Sequence, residues 1–232
     1  MEHDIVYILR NGIDGEELKY SLRSLKNFPH GKVWFFGGTP AGLKPDGAFP
    51  VEQRGVSVWQ KVRWTMRLVC RAAGVSSDFW LFNDDFFVMK KAEAVADACY
   101  DRTIFRRIEE IRHRTGGATS LYTVELERTR NTLQHYRHKT LNYATHTPML
   151  INKDKMLEVL DEFPRISMLR CLYGNYYNVG GVQMKDCKII GLDEAPSKDA
   201  FYLSTSDESF AHGKAGEYIR SVFTEPSRFE VL

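Results

Sequence analysis

The chain is short of several things, and each shortage excludes a class of protein. Only four cysteines occur among its 232 residues, Cys70, Cys99, Cys171 and Cys187. None forms a CxxC pair, so neither a zinc site nor a disulfide scaffold has a pattern to stand on. The thiols are expected to be reduced, in a cytoplasmic protein. No apolar run approaches the ~20 residues of a membrane-spanning helix, so no span is expected. The opening Met1-Glu2-His3-Asp4 lacks the basic start and long apolar stretch of a secretory leader, and none is expected. An excess of charge of one sign is also missing. A formal net charge of +2 neither requires nor excludes a nucleic-acid partner. Internal repeats and low-complexity segments are absent. What remains is 43% hydrophobic and 27% charged residues, the make-up of a globular chain with one large domain or one domain and an appendage.

The most informative stretch is Asp78-Phe79-Trp80-Leu81-Phe82-Asn83-Asp84-Asp85-Phe86-Phe87. Its aromatic-rich apolar run reads as a buried strand with two acids at its C-terminal end. In open α/β sheets that end is where ligands bind. Adjacent carboxylates repel each other unless a cation or a positive side chain joins them, and a hard cation such as Mg²⁺ takes oxygen ligands and bridges substrate phosphates. The plain alternative is a strand end capped by solvated acids.

The chain before this stretch supports the sharper reading. Asp4 to Leu9 predicts a strand, closed by the turn Arg10-Asn11-Gly12. Leu18, Leu22 and Leu25 recur at helical spacing, and Phe28-Pro29 stops the pattern. Lys32 to Phe36 predicts a second strand, and Val58 to Ala73 a helix. Strand, helix, strand, helix, strand is the layout of a nucleotide-binding α/β half with right-handed crossovers. Residues from about 90 to 140 differ. They are crowded with Arg102, Arg106, Arg107, Arg112, Arg114, Arg128 and Arg130, with Gly116-Gly117 between two helical stretches. Glu109, Glu110, Glu125 and Glu127 favour a solvated insertion laced by ion pairs within each helix. The functional alternative is a lid or acceptor platform for an anionic substrate, nucleic acid included, although no nucleic-acid motif is present. Further on come an amphipathic helix from Lys153 to Phe163, the aromatic segment Arg170 to Tyr177, a strand at Lys188–Leu192, a last strand at Phe201–Asp207 and a helix from Glu217 to Phe223.

Taken in order, these segments resemble the Stealth family of sugar-phosphate transferases, which includes bacterial capsule-polymer phosphotransferases and the lysosomal-enzyme GlcNAc-1-phosphotransferase. Asp4-Ile5-Val6-Tyr7 resembles the family's first strand, and Leu18 to Leu25 its second block. Phe79 to Asp85 resembles the strand ending in Asn-Asp-Asp. His146-Thr147-Pro148-Met149 with Lys153 resembles the third block. Ser206-Asp207 and the tail Phe223 to Glu230 resemble the fourth. The resemblance implies an α/β fold of the GT-A nucleotide-diphospho-sugar transferase type, with a central, mostly parallel sheet flanked by helices. It implies a single catalytic domain over 1–232, carrying the basic helical insertion. It also implies a UDP-sugar donor, a divalent metal (Mg²⁺ or Mn²⁺), transfer of sugar 1-phosphate to a hydroxyl, and release of UMP. Ordinary GT-A glycosyltransferases move the sugar alone and release UDP, and fold does not separate the two. A non-catalytic nucleotide-sugar-binding protein is the alternative of another class. The chain departs from the family at Met66, where a Glu is usual, and at Ser206, where Asn is usual.

Site roles follow from the resemblance and from side-chain chemistry together. Asp85 and Asp207 are expected as metal ligands, with Asp84 a second ligand or a partner on the ribose and phosphate side. The plain reading of Asp207 is a helix cap within Ser-Asp-Glu-Ser. His146 is the candidate general base for the acceptor hydroxyl, because imidazole titrates near neutral pH. Arg170 is expected on the phosphate oxygens, with Arg165 as its rival. Asn11, Gly12, Arg23 and Lys61 complete the expected donor contacts. Arg23 has a plainer role available, a pair with an acid on its own helix. The acceptor is expected to be a glycan, with nucleic acid as the alternative.

Overall fold

The computed structural model describes residues 2–91 and 94–231; Met1, Ala92, Glu93 and Leu232 lie outside the described residues. The insertion expected over about 90–140 is thus described except at residues 92 and 93. In chain order the first half runs β1 (Asp4–Leu9), α1 (Glu16–Ser24), β2 (Val33–Gly37), β3 (Gly47–Phe49), α2 (Val58–Arg71), β4 (Asp78–Phe82) and β5 (Phe86–Val88). Next come β6 (Cys99–Tyr100), α3 (Ile104–Arg114), α4 (Leu121–His135), β7 (Met149–Asn152), α5 (Lys153–Glu162) and α6 (Leu169–Tyr176). The chain closes with β8 (Val182–Gln183), β9 (Lys188–Ile189), β10 (Tyr202–Thr205), α7 (Asp207–His212) and α8 (Lys214–Val222).

The fold is α/β. A five-stranded sheet in the order β3-β2-β1-β4-β7 is parallel except for β7, which pairs antiparallel with β4. Helices cover both faces, and the strands record this in their side chains. Val6, Phe79 and Leu81 pack on the face carrying α2, α5 and α6. Ile5, Tyr7, Leu9, Trp80 and Phe82 pack on the opposite face against Leu18, Leu22 and Leu25. Both alternating sets are apolar, which is why β1 and β4 read as continuous hydrophobic runs.

β4 ends before the acids, as expected, and Phe86 and Phe87 belong to another strand. Asn83, Asp84 and Asp85 turn the chain, and Phe86–Val88 starts a second sheet in the order β5-β10-β9. The acids therefore sit in the hinge between two sheets. Ser21 holds that hinge: its Oγ contacts Tyr7 Oη at 2.9 Å and donates to the Phe86 carbonyl at 2.6 Å. Two helices lie between residues 90 and 140 as expected, α3 and α4, separated by Gly116-Gly117 at positive φ.

The antiparallel edge strand has a consequence for chemistry. Residues that precede β7 lie at the same edge of the sheet as residues that follow β1 and β4. Residues after β10 reach that edge too, because β10 pairs with β5 through Ser204 and Phe86.

Candidate active site

A cleft of about 1080 Å³ opens at the C-terminal edge of the parallel strands. Arg10 and Asn11 follow β1, Asn83, Asp84 and Asp85 follow β4, and Thr145 and His146 approach β7 from the loop before it. The first turns of α2 and α6 supply Lys61 and Arg170, the segment before β9 supplies Lys185 and Asp186, and β9 itself opens with Lys188. Of the residues expected from sequence, Asn11, Lys61, Asp84, Asp85, His146, Arg170 and Asp207 line this one space. Gly12, Arg23 and Arg165 are not among its lining residues.

Those three have other positions. Gly12 is an exposed turn residue at φ 75°, a conformation that glycine adopts without cost. Arg23 is corrected most clearly. Its guanidinium forks onto Glu230 at 2.8 and 2.6 Å and also reaches the Phe223 and Thr224 carbonyls. It locks the C-terminal tail onto α1, and its plainer partner is an acid from the far end of the chain, not from its own helix. Arg165 is exposed, whereas Arg170 lies in the cleft and donates to the Leu81 and Thr147 carbonyls. Burial pulls the Arg170 guanidinium down to about 10, with the Asp85 charge opposing, so it stays cationic at neutral pH. It lies 5.2 Å from the centre of the Phe86 ring.

The carboxylates form a mutually repelling group. Burial, then the Asp85 charge, pushes Asp84 up to about 6, with Asp207 adding to the rise and Arg10 opposing it. Glu17, a cleft residue that sequence reasoning passed over, is pushed up to about 7 by burial. Thr205, donating at 2.9 Å, opposes that rise, and Asp85, Asp84 and Asp207 add to it. Asp85 is not the open ligand that was expected. Its Oδ2 takes both Lys188 Nζ at 2.8 Å and Ser204 Oγ at 2.7 Å in a buried setting. Burial draws the Lys188 ammonium down, and Asp85 more than reverses this, so the lysine stays charged. Asp207 is the first residue of α7, behind the cap residue Ser206, and meets Arg10 at 3.4 Å on an exposed surface.

Among the described residues, no group of three His, Cys, Asp or Glu side chains is placed to hold a metal ion. The divalent cation that the family resemblance implies does not need such a cage. Mg²⁺ is commonly held by one or two carboxylates, with water and substrate phosphates completing its shell. The donor set fits that mode. It is all oxygen, and Asp84 carries repulsion from its neighbours that a cation would relieve.

His146 stands apart from the acids and has its own partner. Its Nδ1 lies 2.8 Å from Asp186 Oδ1, and its backbone N–H donates to the same oxygen at 3.3 Å. Burial pushes Asp186 up, but the hydrogen bond and charge of His146, with Arg107 behind them, hold its carboxyl below the usual range. An ionised carboxylate only accepts, so Nδ1 is the donor, and in the neutral form of the ring Nε2 is the accepting nitrogen. Asp186 was not singled out from sequence. Its segment has no periodicity, and its partner lies far away in the chain.

No family model matches the chain, and no curated protein matches it. Among solved structures, distant alignments are found. An active-site mutant of LgtC aligns at TM-score 0.45 and 11% identity, over 94% of each chain. The galactosyltransferase LgtC in complex with donor and acceptor sugar analogs aligns at 0.44 and 11%, over 96% of each. Mouse xyloside xylosyltransferase 1 in its apo form aligns at 0.37 and 8%, over 99% of this chain and 96% of the other. The likeness to the Stealth family rests on the ordered sequence blocks alone.

Proposed function

We propose that the chain is a single catalytic unit that takes a nucleotide-diphospho-sugar donor and passes sugar 1-phosphate to an acceptor hydroxyl. The observation that supports this most is one cleft holding two separate devices: a carboxylate group at the end of β4 and an Asp–His pair across from it. In the proposed reaction His146 Nε2 takes the acceptor's proton. The acceptor oxygen attacks the sugar-bearing phosphorus, the bond from that phosphorus to the bridging oxygen breaks, and the bridging oxygen leaves with the nucleoside monophosphate. Asp84 with Asp207 would hold a divalent cation, Mg²⁺ or Mn²⁺, which supplies charge neutralisation to the diphosphate. Arg170, Lys61 and Asn11 line the cleft; the two cations would meet the phosphates and Asn11 the nucleotide. Asn11 is tied down by donating to the Val51 carbonyl at 3.2 Å.

Product identification tests the reading. The protein is incubated with a panel of UDP-sugars and Mg²⁺ or Mn²⁺, and the nucleotides are separated. UMP as the enzyme-dependent product supports sugar-phosphate transfer. UDP would show that the sugar moves alone. Saturable binding of a UDP-sugar with no turnover, in the presence of a broad acceptor panel, would make the chain a binding protein.

A further inference from the structure

The insertion reaches the Asp–His pair through charge. Asp186 Oδ2 faces Arg107 of α3 at 3.4 Å. Glu110, one turn further along α3, braces Arg107 at 3.2 Å and takes Arg102 at 3.0 Å. Arg102 in turn bonds the buried Asp101 at 2.7 Å. Charges thus alternate from Asp101 through Arg102, Glu110, Arg107 and Asp186 to the imidazole, and all of these residues line the cleft. An exposed pair of this kind would be screened into insignificance. The side chains of Arg107 and Asp186 are only 15% and 13% exposed, so their fields act on His146 with less screening.

We propose that Arg107 is a positioning residue for His146, acting through Asp186 to hold the imidazole and to limit how strongly the carboxylate favours its protonated form. The inference rests on the reading of His146 as the base. A carboxylate on Nδ1 fixes the tautomer, but by itself it also stabilises the imidazolium, which cannot accept a proton. A guanidinium on the other oxygen offsets that charge while keeping the carboxylate in place. The remaining charged groups near the ring are the Asp85–Lys188 pair, Asp84, Lys185, and Arg170 beyond the Phe86 ring, which meets the imidazole edge-on at 6.3 Å. The Cys187 thiol donates to the His146 carbonyl. None of these changes in the variants below. The basic insertion is then more than a solvated face, because one of its helices sets the state of a residue outside it.

The test is the titration of His146 in the full chain by NMR of labelled histidine, assigned by difference with His146→Gln. Arg107→Met removes a positive charge and raises the midpoint by on the order of one pH unit. Glu110→Gln removes the acid that shares Arg107 and lowers the midpoint. Arg107→Lys keeps the charge and stays near the wild type. The acidic limb of the pH–rate profile moves in the same directions. A midpoint unmoved in Arg107→Met, or shifted the same way in both charge-removing variants, overturns the proposal. If Arg107→Met does not fold, Glu110→Gln carries the test, because its side chain is 44% exposed; a midpoint that rises or holds there also overturns it. Titrations that move as expected in a chain showing no transfer would sustain the positioning role and sink the transferase reading instead.

Discussion

At the scale of single residues, the cleft separates two kinds of acid by what each one faces. Asp186 faces cations and stays ionised. Glu17 faces three other carboxylates and is pushed up to about 7. The sign of the stability effect follows. An acid whose pKa is higher in the folded chain than in the unfolded one binds more protons when folded, so its burden appears as pH rises from about 4.5 through 7. Glu17→Gln keeps an acceptor for Thr205 and removes the charge. It should stabilise the protein at pH 8, by on the order of 1 kcal/mol after allowing for partial exposure, and leave stability at pH 5 nearly unchanged. Thermal melts at the two pH values check this, and equal gains at both would be a failure. The His146→Ala variant should lose about 10²- to 10⁴-fold in transfer rate while donor binding stays close to wild type, as expected of a lost general base. Rate and donor affinity measured side by side separate that outcome from a loss of the fold.

At the scale of elements, what was legible in the sequence is what local periodicity carries. β1, α1, β2, α2 and β4 announce themselves because each strand is an almost wholly apolar run and each helix has a repeating apolar face. The acids at the end of β4 stood out because an apolar run leads into them, whereas the loop before β7 stood out only through its resemblance to a family block. The turn at Asn83–Asp85 did not, because Phe86 and Phe87 are as apolar as β4 and only the second sheet takes them. Asp186 lies in a short irregular stretch where no period singles out one residue, and Lys188 was read only as the first residue of a strand. The plainest device of the sheet was likewise invisible. Asp4, at the start of β1, accepts from Lys32 N at 2.9 Å, Ser76 N at 3.0 Å and Trp34 Nε1 at 2.8 Å, stitching β1 to the starts of β2 and β4. Asp4→Ala would leave all three donors without their acceptor in the interior, at about 1–3 kcal/mol each. Denaturant unfolding should show a loss of at least about 3 kcal/mol, and a loss under about 1 kcal/mol would mean that water reaches these groups.

At the scale of the whole molecule, the two ends of the chain are joined beneath the site. α1 carries Glu17 into the cleft, and on another face it carries Arg23, which holds Glu230 in a two-pronged pair with side chains 12% and 10% exposed. The tail adds Arg228 on Asp46 at 2.7 and 2.8 Å, beside β2, and buries Phe223 and Phe229. The tail is thus a strap that fixes the angle of α1, and through it the depth of Glu17 in the acid group. Burial alone would push Glu230 up, but the Arg23 hydrogen bond, the Ser227 N–H and the Arg23 charge hold it below the usual carboxylate range. An acid depressed in this way contributes stability that is present above its unfolded value, about 4.3, and fades as pH falls through the folded one. Removing Arg23 while leaving Glu230 buried should cost about 3–5 kcal/mol. The double variant Arg23→Met with Glu230→Leu should recover a large part of that loss, because no charge is then stranded. The acid limb of the stability curve separates a strap from a mere surface pair. Wild type should lose stability steeply below about pH 4, and the double variant should be flatter there. Parallel curves would mean that the pair contributes nothing to the fold, and that α1 is held by its leucines alone.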